Sequence, residues 1–85
     1  MNLKISKNDY VKLIFQFLNK TEGFGTEYQY AYMISVLFYE GDIKYTNVLC
    51  DEIDLEALDD FVMDNDYDSF MSFIAKNYSD LKIES

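Results

Sequence analysis

No histidine and no arginine occur in this chain, and cysteine occurs once, at Cys50. With one thiol and no imidazole there is little from which to build a zinc or haem site, and neither a Ser–His nor a Cys–His nucleophile pair can be assembled. Without Arg there is no fork of donors to hold a phosphate from two sides. A lone cysteine closes no internal disulfide, which fits a reducing, cytoplasmic setting. Proline is absent, and the three glycines, Gly23, Gly25 and Gly41, all fall in the first half. No apolar run approaches the ~20 residues that span a bilayer. The opening Met1-Asn2-Leu3-Lys4-Ile5 lacks the apolar core of a secretion signal. Together these absences predict a protein that is no enzyme, holds no cofactor or metal and has no membrane partner.

Acid and aromatic residues are abundant. Sixteen Asp and Glu stand against seven Lys, a net charge of −9 in 85 residues. Such a surface repels phosphates, so direct binding of nucleic acid is disfavoured. Yet 49% of the residues are apolar and 18% aromatic, with seven Phe and eight Tyr. That is too hydrophobic for a disordered acidic tail. The length suits one domain, residues 1–85, with no room for a cleft between lobes.

Hydrophobic spacing predicts helices. Ser6-Lys7-Asn8-Asp9 resembles a capping box, and Val11, Ile14, Phe15 and Leu18 follow at helical intervals, giving a helix over about 7–20. Tyr10, Leu13 and Phe17 widen its apolar arc beyond half the circumference, which suits a central position in a bundle. After a loop over Thr21–Gly25, Thr26 with Gln29 opens a second helix that Gly41 closes, striped by Tyr30, Met33, Ile34, Leu37 and Phe38. A strand is the rival reading there, since Tyr28, Tyr30, Tyr32, Ile34, Val36 and Phe38 alternate, but the residues between them are not polar. Residues 43–50 suit a short strand or a short helix, and a hairpin turn at Tyr39-Glu40-Gly41-Asp42 would make the fold α+β. A third helix begins near Asp54, with Leu55, Leu58, Phe61 and Val62 on one side. A fourth, capped by Asp66 or Asp68, carries Phe70, Phe73, Ile74, Asn77, Tyr78 and Leu81 on one arc. The expected fold is all-α, a small four-helix bundle with an irregular or short-strand segment around 43–50.

The charge is unevenly placed. Residues 1–21 carry four Lys against Asp9, a net +3, whereas residues 22–75 carry thirteen acids against Lys44 alone, a net −12. On the third helix Glu56, Asp59, Asp60 and Asp64 fall within about 140° of one another, opposite the apolar stripe. Asp51, Glu52, Asp66 and Asp68 extend the cluster at both ends. Like charges at i, i+4 cost an isolated helix a few tenths of a kcal/mol per pair, so stability alone does not favour them. The face is either a solvated one that keeps the protein soluble or a binding face for a basic protein surface. Tyr28, Tyr32 and Tyr39 share an arc of the second helix away from its stripe. They are either buried by a second neighbour or exposed contact residues suited to ion pairs and cation–π contacts with Lys and Arg.

Other motifs carry less. Asp64-Asn65-Asp66-Tyr67-Asp68 matches the first ligand positions of an EF-hand loop, but Ser69 stands where the turn needs Gly and Ala75 where it needs Glu. Asp59 and Asp60 diverge by ~100° on a helix and read as a solvated pair rather than as an acid and base. Cys50 sits in an apolar stretch and reads as a small core residue.

Met1, Leu3, Lys4, Ser6, Asp9, Tyr10, Phe15 and Leu18 resemble the opening of colicin-type nuclease immunity proteins, which are acidic four-helix domains of similar length. The likeness covers residues 1–18. Asp42-Ile43-Lys44-Tyr45 departs from that family's Asp-Leu-Ile-Tyr-Tyr-Pro signature, so of its tyrosine-based binding site only Tyr45 has a counterpart. The whole profile is similar to small phage-encoded anti-CRISPR and anti-restriction proteins, acidic chains that occupy nucleic-acid grooves on their targets, although no residue roles transfer from that likeness. The expectation is a monomer or small homo-oligomer that binds the basic surface of a nucleic-acid-handling protein, a nuclease or CRISPR effector, through Asp51, Glu52, Glu56, Asp59, Asp60, Asp64, Asp66, Asp68, Tyr28, Tyr32 and Tyr39. An immunity protein or antitoxin for one cognate nuclease is the alternative, and a self-assembling structural protein is a third class.

Overall fold

Each helix begins where a short polar side chain satisfies backbone N–H groups that the helix itself leaves unpaired. The computed structural model describes residues 5–21 and 25–83. Met1, Leu3 and Lys4 of the N-terminal resemblance, and part of the loop expected over Thr21–Gly25, lie outside the described residues. Ser6 accepts from the Asp9 N–H at 3.1 Å and starts α1 (Lys7–Lys20). Thr26 and Gln29 form a reciprocal capping box that starts α2 (Glu27–Phe38), with bonds of 3.1 and 2.8 Å. Asp42, Asp54 and Asp66 cap α3 (Ile43–Glu52), α4 (Leu55–Met63) and α5 (Tyr67–Tyr78) in the same manner. The fold is all-α, and no strand occurs among the described residues.

Among the described residues the expected four helices become five, because residues 43–50 are neither irregular nor a strand. Ile43, Thr46 and Val48 are β-branched and weaken the helical signal. The Asp42 carboxylate accepts from the Lys44 N–H at 2.8 Å, the Thr46 hydroxyl donates to the Asp42 carbonyl at 3.1 Å, and Thr46 and Leu49 are fully buried. Capping and tertiary burial thus override propensity. Nor is Tyr39–Asp42 a hairpin turn. Glu40 and Gly41 take left-handed φ values of 56° and 74°, the N–H groups of Tyr39 and Gly41 both donate to the Ser35 carbonyl, and the chain doubles back from helix into helix. The buried Ser35 hydroxyl donates to the Asp42 carbonyl at 3.3 Å.

The core joins all five helices. Phe15 of α1 and Tyr30 of α2 flank Phe70 of α5, with ring centroids 5.1 and 6.1 Å from it. Met33, Ile34, Leu49, Leu58, Val62 and Ile74 complete it. Helix α2, which packs most extensively on α3 and also touches α1 and α4, is the central element. This corrects the expectation for α1, which lies at the periphery: Leu13 and Phe17, the residues that widened its apolar arc, are 54% and 62% exposed. The radius of gyration is 12.6 Å and the molecule is a slab of 39 × 39 × 19 Å, about two helices thick at the usual 8–10 Å packing distance.

Candidate functional site

The acids divide into those that build the fold and those that do not. On α4, Leu55, Glu56, Asp59, Asp60 and Met63 recur at i, i+1, i+4, i+5 and i+8 and line one open groove of about 510 Å³. Glu56 and Asp60 are exposed there, and so is Met63, at 63%. Asp59 differs from both. It lies only ~40° around the helix from Leu55, is half-buried, and accepts at 2.6 Å from the hydroxyl of the fully buried Tyr30. The sequence reading that set Asp59 on the solvated side with Glu56, Asp60 and Asp64 is corrected to this extent. Burial, and then the Asp59 carboxylate, push the Tyr30 phenol well above its usual range, so it stays protonated and donates. Asp59 is thereby held at one orientation at the edge of the groove.

The remaining acids are spread over the neighbouring helix ends. Asp51 and Glu52 are exposed in the last turn of α3, and Asp64 is the exposed C-cap of α4. Neither of these last turns holds a base. Carboxylates there face the negative end of the helix dipole, an arrangement that costs a few tenths of a kcal/mol each. Asp66 has a structural duty: it caps α5 by accepting from the Ser69 N–H at 3.1 Å, and bonding to Ser69 draws its carboxyl below the usual range. Asp68 belongs to a different groove of about 470 Å³, floored by Phe61 and Phe73 and shared with Lys76. Asp64-Asn65-Asp66 is therefore the α4–α5 turn, with Asn65 at φ 53°. Among the described residues no three His, Cys, Asp or Glu side chains converge to hold a metal ion.

The three tyrosines also separate. Tyr28 and Tyr32 remain outward, 52% and 39% exposed, and Tyr32 meets Tyr10 of α1 edge to face at 6.4 Å. Tyr39, placed by spacing on the same arc, is turned inward because it follows the last residue of α2 and leaves the helical path. Its ring stacks on Tyr45 at 4.1 Å and 6°, its hydroxyl donates to the Tyr78 carbonyl, and it accepts from the Leu81 N–H at 2.7 Å. Tyr39 ties the C-terminal segment to α2, and Tyr45 is engaged in that tie. Cys50 is half-buried, and burial, with Asp51 and Glu27 nearby, raises its thiol above the usual range.

Sequence reasoning missed Leu55 and Met63 as parts of the acidic face. The signal was present, since Met63 lies four residues after Asp59 and eight after Leu55, on the carboxylate side of the stripe. Among the described residues no helix is long and apolar enough to cross a membrane. Comparison with protein-family models, with curated proteins and with solved structures finds no match to this chain.

Proposed function

We propose that this protein acts by binding, as a non-catalytic acidic inhibitor that covers the basic, nucleic-acid-binding surface of a target protein in the manner of an anti-CRISPR or other anti-defence DNA mimic. The observation that carries the reading is the set of exposed carboxylates at Asp51, Glu52, Glu56, Asp60 and Asp64, gathered on the last turn of α3 and on α4 with no lysine between residues 45 and 75. Their carboxylates accept no bond from a helix end, and three of them, Asp51, Glu52 and Asp64, sit at C-terminal ends where the backbone dipole disfavours them. DNA carries one charge per ~1.7 Å of axis, so the five carboxylates match the charge of about 9 Å of duplex, a short stretch of the phosphates such a surface is built for. Tyr28 and Tyr32 supply exposed rings for cationic side chains.

The test replaces Asp51, Glu52, Glu56, Asp60 and Asp64 with their amides, sparing Asp59 and Asp66 because those two hold the fold. Binding to a nucleic-acid-handling host protein, identified by pull-down and by displacement of its nucleic acid, weakens by at least roughly tenfold and loses much of its salt dependence. A variant that competes as well as the original at both low and moderate salt overturns the reading. The resemblance of residues 1–18 to nuclease immunity proteins supports a second reading with the same chemistry, an antitoxin that binds one cognate nuclease tightly and other basic proteins poorly.

A further inference from the structure

Two helix faces, on α1 and α4, expose apolar side chains that no other described residue covers, and they are opposite in charge. On α1, Leu13 and Phe17 stand 54% and 62% exposed, with Lys12 beside Leu13 and Lys20 one turn beyond Phe17. Lys12, Leu13 and Gln16 line a shallow groove of about 260 Å³ with the Asp9 carboxylate and with Ile5, which is 52% exposed. On α4 the half-buried Leu55 and the exposed Met63 share an open face with Glu56, Asp59 and Asp60. A helix that offers apolar residues at i and i+4 with flanking lysines packs against such a face, since the apolar pair covers Leu55 and Met63 while the ammonium groups meet the carboxylates. α1 is a helix of that kind. Within one molecule Lys12 is directed instead over the Tyr67 ring at 5.7 Å, and α1 meets α4 through the Asn19 amide, which donates to the Val62 carbonyl at 2.8 Å. Leu13 and Phe17 remain exposed, and a surface cation–π contact is worth only about 0.5–1 kcal/mol, so Lys12 can exchange the Tyr67 ring for a carboxylate of another molecule.

We propose that this face of α1 docks onto the α4 face of a second copy, setting Leu13 and Phe17 on Leu55 and Met63 and the α1 lysines on Glu56 and Asp60. The uneven charge then has an internal use: the +3 segment at the start of the chain is the complement of the acids that follow it. The contact does not depend on any outside target. It draws on the same carboxylates as the proposed inhibitory face, so self-association and target binding exclude one another.

Charge exchange tests the contact. One variant carries Lys12→Glu and Lys20→Glu, and the other carries Glu56→Lys and Asp60→Lys; all four side chains are exposed, and a thermal melt of each variant reports that the fold is kept. Sedimentation of the unaltered protein shows concentration-dependent association that weakens with salt. Each variant alone associates at least roughly tenfold more weakly, because like charges now face each other. An equimolar mixture of the two recovers association, since each supplies the sign the other lost. Phe17→Ser with Met63→Ser weakens association without lowering the melting temperature at dilutions where the unaltered protein is monomeric. An unaltered protein that stays monomeric at the concentration of an NMR sample, variants that associate as before, a mixture that stays monomeric, or an unaffected Ser pair each overturns the proposal.

Discussion

Asp59 and Asp60 are neighbours on α4, and their environments have little in common. Asp59 is half-buried against α2 and receives the Tyr30 hydroxyl at 2.6 Å, whereas Asp60 points to solvent one residue later. The same division runs through the whole molecule. In the seam between α2, α4, α5 and the C-terminal segment, tyrosine hydroxyls are paired: Tyr30 with Asp59, Tyr39 with Tyr78 and Leu81, and Tyr78 with the Asp54 N–H at 2.9 Å. Among the described residues no buried side-chain nitrogen or oxygen lacks a partner. On the outer ends of α3 and α4, by contrast, the carboxylates at Asp51, Glu52, Glu56, Asp60 and Asp64 are exposed. Interior acids are held because leaving a buried polar group unpaired costs about 1–3 kcal/mol. The outer acids incur no such penalty, and apart from Glu56, in the first turn of α4 where the helix dipole favours an acid, helix stability does not account for them.

The strongest way to break the interior side of this contrast is at Gly25. Its N–H donates to the Tyr30 hydroxyl at 3.4 Å, and a Cβ added there would stand 2.6 Å from the tyrosine Cζ and 2.7 Å from Cε2. Tyr30 is fully buried and its ring packs beside Phe70, so it has nowhere to retreat. Gly25→Ala therefore drives the ring off Asp59 and is expected to cost about 2–4 kcal/mol. At roughly 4–8 °C per kcal/mol for a domain of this size, thermal unfolding reads the loss directly. A melting temperature within a degree or two of the original would show that the ring is loosely held and that the seam is no different from the surface.

Tyr30→Phe asks a narrower question. It keeps the ring and removes the hydroxyl, so the expected loss is about 1–2 kcal/mol, the lower end applying if water reaches the half-exposed Asp59 in its place. The variant also alters the response to alkali. Because burial and the Asp59 carboxylate raise the Tyr30 phenol in the folded state, its contribution is intact below the ordinary tyrosine value near 10 and is lost as pH rises above it, while the unfolded chain ionises freely. Tyr30 alone adds a slope of up to about 1.4 kcal/mol per pH unit there. Denaturant unfolding of the original protein between pH 9 and 11 should show a steeper fall than that of Tyr30→Phe. The variant keeps a residual fall, since burial also raises Tyr10, Tyr39, Tyr67 and Tyr78. Equal slopes would separate Tyr30 from the alkaline transition.

The seam is also where sequence reasoning was least informative. Local signals were legible: Ser6, Thr26 with Gln29, Asp54 and Asp66 mark helix starts because a cap is chosen within three residues of the N–H it satisfies. The pairing of Tyr30 with Asp59 spans 29 residues, and that of Tyr39 with Tyr78 spans 39, so neither leaves a periodic trace. Periodicity reports which side of a helix is apolar but not whether a neighbour covers it. For that reason Leu13 and Phe17 suggested a central α1 and are exposed, while Thr46 in an ambiguous segment is fully buried. The acidic face was legible as composition, and its division into groove residues, caps and helix ends depended on how α4 turns against α2.

The smallest expected effects give the sharpest contrast, because two acids one turn or less from helix termini should respond with opposite sign. Asp54 lies at the positive end of α4, where its carboxylate accepts from the Ala57 N–H at 3.2 Å; Asp54→Ala removes a cap and should cost about 1 kcal/mol. Glu52 lies at the negative end of α3, and Glu52→Lys exchanges an unfavourable charge for a favourable one. That substitution should stabilise the protein by about 0.3–1 kcal/mol at low ionic strength. Screening at about 0.15 M salt shortens the reach of such interactions to about 8 Å, so the gain should shrink on adding salt while the loss at Asp54, a hydrogen bond, largely persists. Parallel denaturant titrations at two salt concentrations measure both. If Glu52→Lys destabilises the fold to the same degree as Asp54→Ala, then Glu52 is structural, and the outer acids cannot be treated as a face kept for binding.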